Sequence, residues 1–418
     1  MIKSFRFIAI LIFPILISGC SFVVSRAIPL NDIKSPTGNY AVGTQTFHWV
    51  DQDREEWFTE NDGDKRELVV QVWYPSNRED VHKDNYTLFG MTFSGNSKSI
   101  TPINNKTPWI DHSSRRTESI IENFKVPRFI AKAIDRIDTD ALKDAIPLSE
   151  GNFPVIIFSH GFEGFRSQNT IQIQELVSNG YIVFSLDHTY DAVLTIFPDG
   201  REISNAKKYC RDCDVENFYR VFLPQINTRI ADVRFLINQI EKIKSREIES
   251  NFSSIMDIDR LGVFGHSFGG GTSLAVTILD PRVKSCLSLD GWYVPIHPNV
   301  YNQGLSKPFL HLGQVAWDEE INYEILDKIL ETKDDVGYKL SLEGAHHYDF
   351  TDSPHLSKFS STFKLSSNLE SEEILDVTNT TVIGFFDTYL KAEDSNWLDK
   401  IKSKGNTIIK KFNSKDDE

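Results

Sequence analysis

Leu261-Gly262-Val263-Phe264-Gly265-His266-Ser267-Phe268-Gly269-Gly270 is the stretch on which the reading of this chain turns. An apolar run of strand length, 261–264, leads into Gly-His-Ser-Phe-Gly, and a small-residue helical segment over 269–279 follows. Strand, tight turn and helix form the context in which G-x-S-x-G carries chemistry. The serine must sit on a turn too strained for bulky neighbours, so Gly265 and Gly269 supply room. The turn lifts Oγ clear of the backbone, and the helix N-terminus brings free N–H groups and the positive end of the dipole. Ser267 is therefore the candidate nucleophile, and the N–H of Phe268 is one candidate oxyanion donor. The bland alternative, a chance Gly/Ser turn, is outweighed by the flanking strand and helix.

Working outward, short apolar runs recur at 155–158, 181–186, 283–289, 308–312 and 338–342. Runs of this length, apolar on both faces, indicate central strands of a parallel sheet. Helical periodicity lies between them at 171–179 and 228–243, where Ile230, Val233, Ile237 and Ile240 share a face, and 379–391 reads as a closing helix. The fold class is α/β, a mostly parallel sheet with helices on both faces. Upstream, strand-like runs at 47–50 and 67–74 flank Asp62-Gly63 and predict an antiparallel pair. Residues 76–150 are polar without a sustained strand pattern and read as an insertion, with a helix over 118–137 broken at Pro127. Residues 188–227 read as a second insertion, a lid or substrate wall. The expected domain is 39–405, with 406–418 a frayed tail.

The first residues have another logic. Lys3 and Arg6 precede an apolar run over 7–17 that ends in Leu16-Ile17-Ser18-Gly19-Cys20, the layout of a signal peptide over 1–19. The run is short for a membrane span and contains Pro14. Its end resembles the lipobox of bacterial lipoproteins, which implies that Cys20 is lipidated and opens the mature chain. Residues 20–38, with Pro29, Pro36 and Gly38, then form a tether, and the expected location is the bacterial cell envelope, anchored in a membrane by lipid. The net charge of −14 disfavours broad attraction to nucleic acid. Cys210 and Cys213 read as free thiols or a small loop disulfide, since no second pair with zinc spacing follows them. Cys286 lies in an apolar run and reads as core. No metal or organic cofactor is expected.

A serine nucleophile on this turn needs a base and an acid downstream, in the chain order Ser, acid, His. Gly344-Ala345-His346-His347-Tyr348-Asp349-Phe350 follows the last candidate strand. Spacing does not choose between His346 and His347; His355 is a weaker option, and His297 and His311 come too early. For the acid, Asp290 ends the run 283–289 and Asp318 follows the run 308–312, while Asp280 comes too early. Charge alone favours neither Asp290 nor Asp318. Phe158-Ser159-His160-Gly161-Phe162 follows an earlier strand, where a His-Gly loop presents a second oxyanion donor, the N–H of Phe162. His160 can brace that loop at the same time.

Three blocks resemble the secreted platelet-activating factor acetylhydrolases, the group VII phospholipases A2, and their bacterial homologues, within the α/β-hydrolase fold. They are 155–166 with 180–183, then 265–270, then Leu287-Ser288-Leu289-Asp290-Gly291-Trp292 with 344–352. The helix from Arg229 to Arg234 is similar too. Clear matching runs from 153 to 355. The resemblance implies Asp290, in a Leu-Asp-x-Trp motif, as the acid, and His347, three residues before Phe350-Thr351-Asp352, as the base. It implies hydrolysis of short-acyl or phospholipid-like esters through acyl-Ser267. A general carboxylesterase or polyester hydrolase is the rival within hydrolases, and a surface binding protein on the same fold is the rival outside them. Segments 76–150 and 188–227 depart from the family pattern, so the resemblance supports the triad more than the substrate.

Overall fold

The computed structural model describes residues 30–77, 85–88, 91–94, 106–111, 113–124, 133–206, 214–332, 334–358, 360–362 and 365–412. The chain enters through the expected antiparallel pair, β1 (Ala41–Glu55) and β2 (Lys65–Ser76). A separate small hairpin, β3 (Asn85–Leu88) and β4 (Met91–Ser94), precedes β5 (Lys106–Pro108), helix α1 (Ser113–Phe124) and β6 (Asp138–Lys143). Then come β7 (Phe153–Ser159), α2 (Thr170–Ser178), β8 (Ile182–Asp187), and the short hairpin β9 (Leu194–Ile196) with β10 (Glu202–Ser204). The long helix α3 (Val215–Lys244) leads to β11 (Met256–His266), α4 (Phe268–Leu279) and β12 (Val283–Leu289). The chain closes through β13 (Phe309–Gln314), α5 (Glu320–Glu331), β14 (Gly337–Leu342), α6 (Ser371–Phe386), α7 (Trp397–Lys402) and β15 (Thr407–Phe412).

One sheet carries the strands in the order β15-β14-β13-β12-β11-β7-β8-β2-β1-β6-β5. From β14 to β8 every neighbour is parallel, and β2 and β15 flank this block antiparallel. The apolar runs are double-faced because both faces are covered. In β7, Val155 and Ile157 join the layer containing α3 and α4, whereas Ile156 and Phe158 join the layer containing α2 and α6. Each such fully buried side chain contributes roughly 1.5–3 kcal/mol relative to exposure. Cys286 is a free thiol in this core, and burial pushes it up to about 12.

Several expectations need correction. Residues 76–150 are not strandless: β6 pairs in parallel with β1, Val42 opposite Ala141, and β5 pairs with β6. β6, one strand in from the sheet edge, buries only Thr139, Ala141 and Leu142, too few for an apolar run to stand out in sequence. The helix expected over 118–137 starts at Ser113 and its first helical run ends at Phe124; Pro127 lies outside the described residues. The helix expected over 228–243 begins earlier, inside the polar stretch 188–227. Thr189, Asp191 and Asn205 are buried, and α3 starts at Val215, capped by Asp214, with Pro224 inside it. The tail is not frayed from Asn406, because β15 pairs along the whole of β14, with Lys410 and Lys411 guarding this edge strand. The closing helix, too, begins earlier, at Ser371. Near the other end, Asn31 N–H bonds Leu356 O and Ile33 is buried, so residues from 31 onward pack against the domain. Cys20, Cys210 and Cys213 lie outside the described residues.

Candidate active site

β11 ends at His266 and α4 begins at Phe268, which leaves Ser267 alone to turn the chain. Its φ of 56° and ψ of −121° are strained for a residue with a side chain. The strain is held by backbone bonds from Ser267 N–H to Leu289 O, 2.9 Å, and to Ser267 O from Trp292 N–H, 2.8 Å. The flanking glycines are obligatory. A Cβ on Gly269 would lie 1.9 Å from Ser159 O, and one on Gly265 would lie 2.4 Å from the Gly269 backbone. Ser267 opens onto a cleft of about 440 Å³ that it shares with Gly161, Phe162, Trp292, Trp317 and His347.

Asp290 stands one residue beyond β12, in the left-handed region with φ 42°, and is fully buried. Its Oδ1 accepts from Gln314 N–H (3.1 Å), Trp317 Nε1 (3.1 Å) and Tyr323 Oη (3.0 Å). Its Oδ2 accepts from Gln314 Nε2 (3.0 Å) and His347 Nδ1 (2.6 Å). Burial alone would raise this carboxyl. The hydrogen bond and charge of His347, with further help from the Gln314 N–H, outweigh burial and hold it below the usual carboxylate range. With Nδ1 engaged by Asp290, Nε2 is the nitrogen left to exchange a proton in the cleft.

The pairings separate the sequence candidates. His347, not His346, meets Asp290. His346 instead caps the turn that follows it and donates its backbone N–H to Asp349, 2.8 Å. Asp318 lies on the cleft rim, Asp280 pairs with Arg282, and His311 bonds the Tyr293 hydroxyl, 2.7 Å. His355 is buried on a separate turn, Ser353–Leu356, and burial pushes its ring down to about 4.

The loop after β7 reaches the serine. A Cβ on Gly161 would lie 3.3 Å from Ser267 Cβ and 3.1 Å from His266 Nδ1, so a side chain there would crowd the serine. Gly161 N–H donates to Gln168 Oε1, 2.8 Å, and Phe162 follows on the cleft wall. Phe268 is the first residue of α4, where an N–H has no intrahelical acceptor. His266 Nε2 bonds the His347 carbonyl, 2.9 Å, and burial pushes that ring down to about 3, so it is a neutral brace. Gln168, His266, Gln314, Trp317 and Tyr323 were not legible as site residues. The only signal was a donor-rich stretch after the strand 308–312, which means nothing until the sheet sets β13 beside β12.

The arrangement is that of a serine ester hydrolase, and comparison with known proteins agrees. A family model described as platelet-activating factor acetylhydrolase, isoform II, matches residues 98–408. The chain belongs to this family. The family's platelet-activating factor acetylhydrolase from Gallus gallus is 23% identical over 287 residues, 62% of this chain and 67% of the relative. That from Canis lupus familiaris is 21% identical over 423 residues, 93% of this chain and 84% of the relative. A probable 1-alkyl-2-acetylglycerophosphocholine esterase of Arthroderma benhamiae is 24% identical over 238 residues, 55% and 57%. Among solved structures, a ferulic acid esterase from Streptomyces cinnamoneus superposes with a TM-score of 0.69 at 23% identity, covering 91% of this chain and 99% of that one. The fold is the α/β-hydrolase fold, and the family member described here is a carboxylic-ester hydrolase.

Proposed function

We propose that the enzyme cleaves short-acyl esters, including acetylated or otherwise shortened phospholipid-like molecules, through an acyl-Ser267 intermediate. The observation that carries this reading is the 2.6 Å bond from His347 Nδ1 to buried Asp290, in the cleft onto which the strained Ser267 opens. His347 Nε2 takes the Ser267 proton as Oγ attacks the ester carbonyl. Asp290 holds the imidazole in the required tautomer and stabilises the imidazolium. The N–H groups of Phe162 and Phe268 hold the oxyanion, each worth about 3–4 kcal/mol. His347 then protonates the leaving alcohol, and water repeats the sequence to release the acid. The short-acyl preference is supported by the names of the relatives and by an aromatic wall. Phe222 packs against Trp292 at 5.0 Å and Phe162 at 6.1 Å between ring centroids, which narrows the space beside the serine.

Ser267→Ala is expected to abolish hydrolysis of p-nitrophenyl acetate and covalent labelling by a fluorophosphonate probe. Labelling retained in that variant would refute the nucleophile. A series of nitrophenyl esters of rising acyl length, run beside a 2-acetyl phospholipid, tests the substrate class; equal rates from acetate to laurate, with the phospholipid untouched, would favour a general carboxylesterase.

The anchoring reading rests on the Leu16–Cys20 stretch alone. Expressed in a bacterial host, the chain is expected to incorporate radiolabelled palmitate and to lose it in Cys20→Ser. A wild-type chain that takes up no label would contradict lipidation.

A further inference from the structure

The peptide unit joining Gly161 to Phe162 is held by its oxygen. Gly161 O accepts three hydrogen bonds: His160 Nδ1 at 2.6 Å, Gly164 N–H at 3.0 Å and Arg229 Nη2 at 3.1 Å. Arg229 is fully buried on α3, and its Nη1 also bonds His160 O at 2.6 Å. Its Nε pairs with Asp191, and its guanidinium carbon lies 4.5 Å from the centroid of the Phe268 ring. One cation thus touches the peptide that carries one assigned oxyanion donor and the ring of the residue that carries the other.

The His160 tautomer follows from its partners. His160 Nε2 accepts from the His188 backbone N–H, 3.1 Å, so the proton sits on Nδ1 and points at Gly161 O. Burial pushes this ring down to about 3, so it remains neutral in the working range. Arg229 is then the one charged donor among the three on this carbonyl. The peptide is trans and planar, so its N–H points opposite to its C=O. A carbonyl drawn toward α3 turns the Phe162 N–H the other way, on a residue that lines the cleft. A cation on the oxygen also polarises the amide and strengthens the N–H as a donor.

We infer that Arg229 is a positioning residue for ester cleavage: it orients and polarises the Gly161–Phe162 peptide so that the Phe162 N–H meets the oxyanion of the transition state. This rests on the acyl-Ser267 reading. Because the oxyanion forms only in the transition state, loss of Arg229 acts on kcat and leaves KM nearly unchanged. A residue that only held the fold would lower the active fraction and leave kcat per active site intact.

The test uses the whole chain and three variants: Arg229→Gln, Arg229→Lys, and Arg229→Gln combined with Asp191→Asn, which removes the carboxylate that the single change strands. Active sites are counted by fluorophosphonate titration. The expected result is a tenfold to hundredfold fall in kcat per titrated site in Arg229→Gln and in the double variant, on the scale of weakening one oxyanion donor. KM should change less than threefold. Affinity for a trifluoromethyl ketone, whose tetrahedral adduct carries the oxyanion, should fall by the same factor as kcat/KM. Arg229→Lys should recover part of the loss, since a point charge replaces the fork. Wild-type kcat per site and wild-type ketone affinity in the double variant would overturn the role of Arg229. Failure of the wild-type enzyme to label at Ser267 would instead overturn the reading beneath it.

Discussion

At the residue scale the decisive group is Asp290. Five donors converge on its two oxygens, and four of them come from residues 314–323, at and beyond the end of the strand next to its own. This surplus keeps a fully buried carboxylate ionised and aims Oδ2 at His347. Asp290→Asn would present an amide to His347 Nδ1 and favour the tautomer with its proton on Nε2, the wrong one for a base. The expected outcome is a loss of about 10⁴-fold in kcat, as in the Ser-His-Asp enzymes where this change is known, with KM little altered. Steady-state kinetics on p-nitrophenyl acetate checks it; retention of more than a tenth of kcat would contradict the assignment. Ser267 was legible from sequence because its motif is local: strand, turn and helix lie within about twenty residues. Asp290 was not separable from Asp318 by residue type or spacing, because the sheet, not the chain, sets which strand end faces the histidine.

At the element scale the site depends on a contact that no single strand or helix shows. Asp352 closes the loop that carries His347, and it is buried against the N-terminus of α2. Its carboxylate accepts from Thr170 N–H (2.8 Å), Ile171 N–H (3.0 Å) and Trp109 Nε1 (2.8 Å). The Phe350-Thr351-Asp352 motif is therefore a clamp between two elements. Asp352→Ala would strand three donors in the interior and is expected to destabilise the fold by about 2–4 kcal/mol in urea denaturation. It should also lower kcat by loosening the loop that carries His347. A midpoint unchanged within error would show that the clamp carries nothing. The marginal strands β6 and β15 were missed for a related reason. A strand at or near the sheet margin buries one face or less, so its sequence keeps its polarity and resembles a loop until a neighbour is present.

Across the whole molecule, buried titratable groups set the response to acid. Burial pushes His160 and His266 down to about 3, and His188, His311 and His355 down to about 4. In the unfolded chain each takes up a proton near pH 6.5. Their contribution to stability is therefore complete above that value and is lost as the pH falls from about 6.5 toward 4. Asp352 acts in the opposite sense. Burial raises it to about 7, so the native state binds its proton first and gains stability as the pH falls from 7 toward 4. Five histidines against one carboxyl leave a net loss, on the order of several kcal/mol between pH 6.5 and 4.5. The thermal midpoint is expected to fall steadily over that range in calorimetry. A midpoint independent of pH between 7 and 5 would show that these rings are not buried and neutral.

Whatever depends on neighbours along the chain was readable from the residues alone. They placed the nucleophile elbow, the double-faced strands of a parallel sheet, the entering hairpin and the glycine that lets the His160–Phe162 loop approach. Tertiary structure alone decided what depends on neighbours across the sheet. It set Asp290 against His347 and separated His347 from His346, adjacent residues whose side chains diverge where a 3-10 turn begins at His347. It also brought Arg229, a helix residue 68 positions after Gly161, onto that glycine's carbonyl at 3.1 Å. Local motifs survive in sequence because the strain and spacing they require are met within one turn of chain. The partners of a buried charge do not, because desolvation is relieved by whichever donors packing brings near.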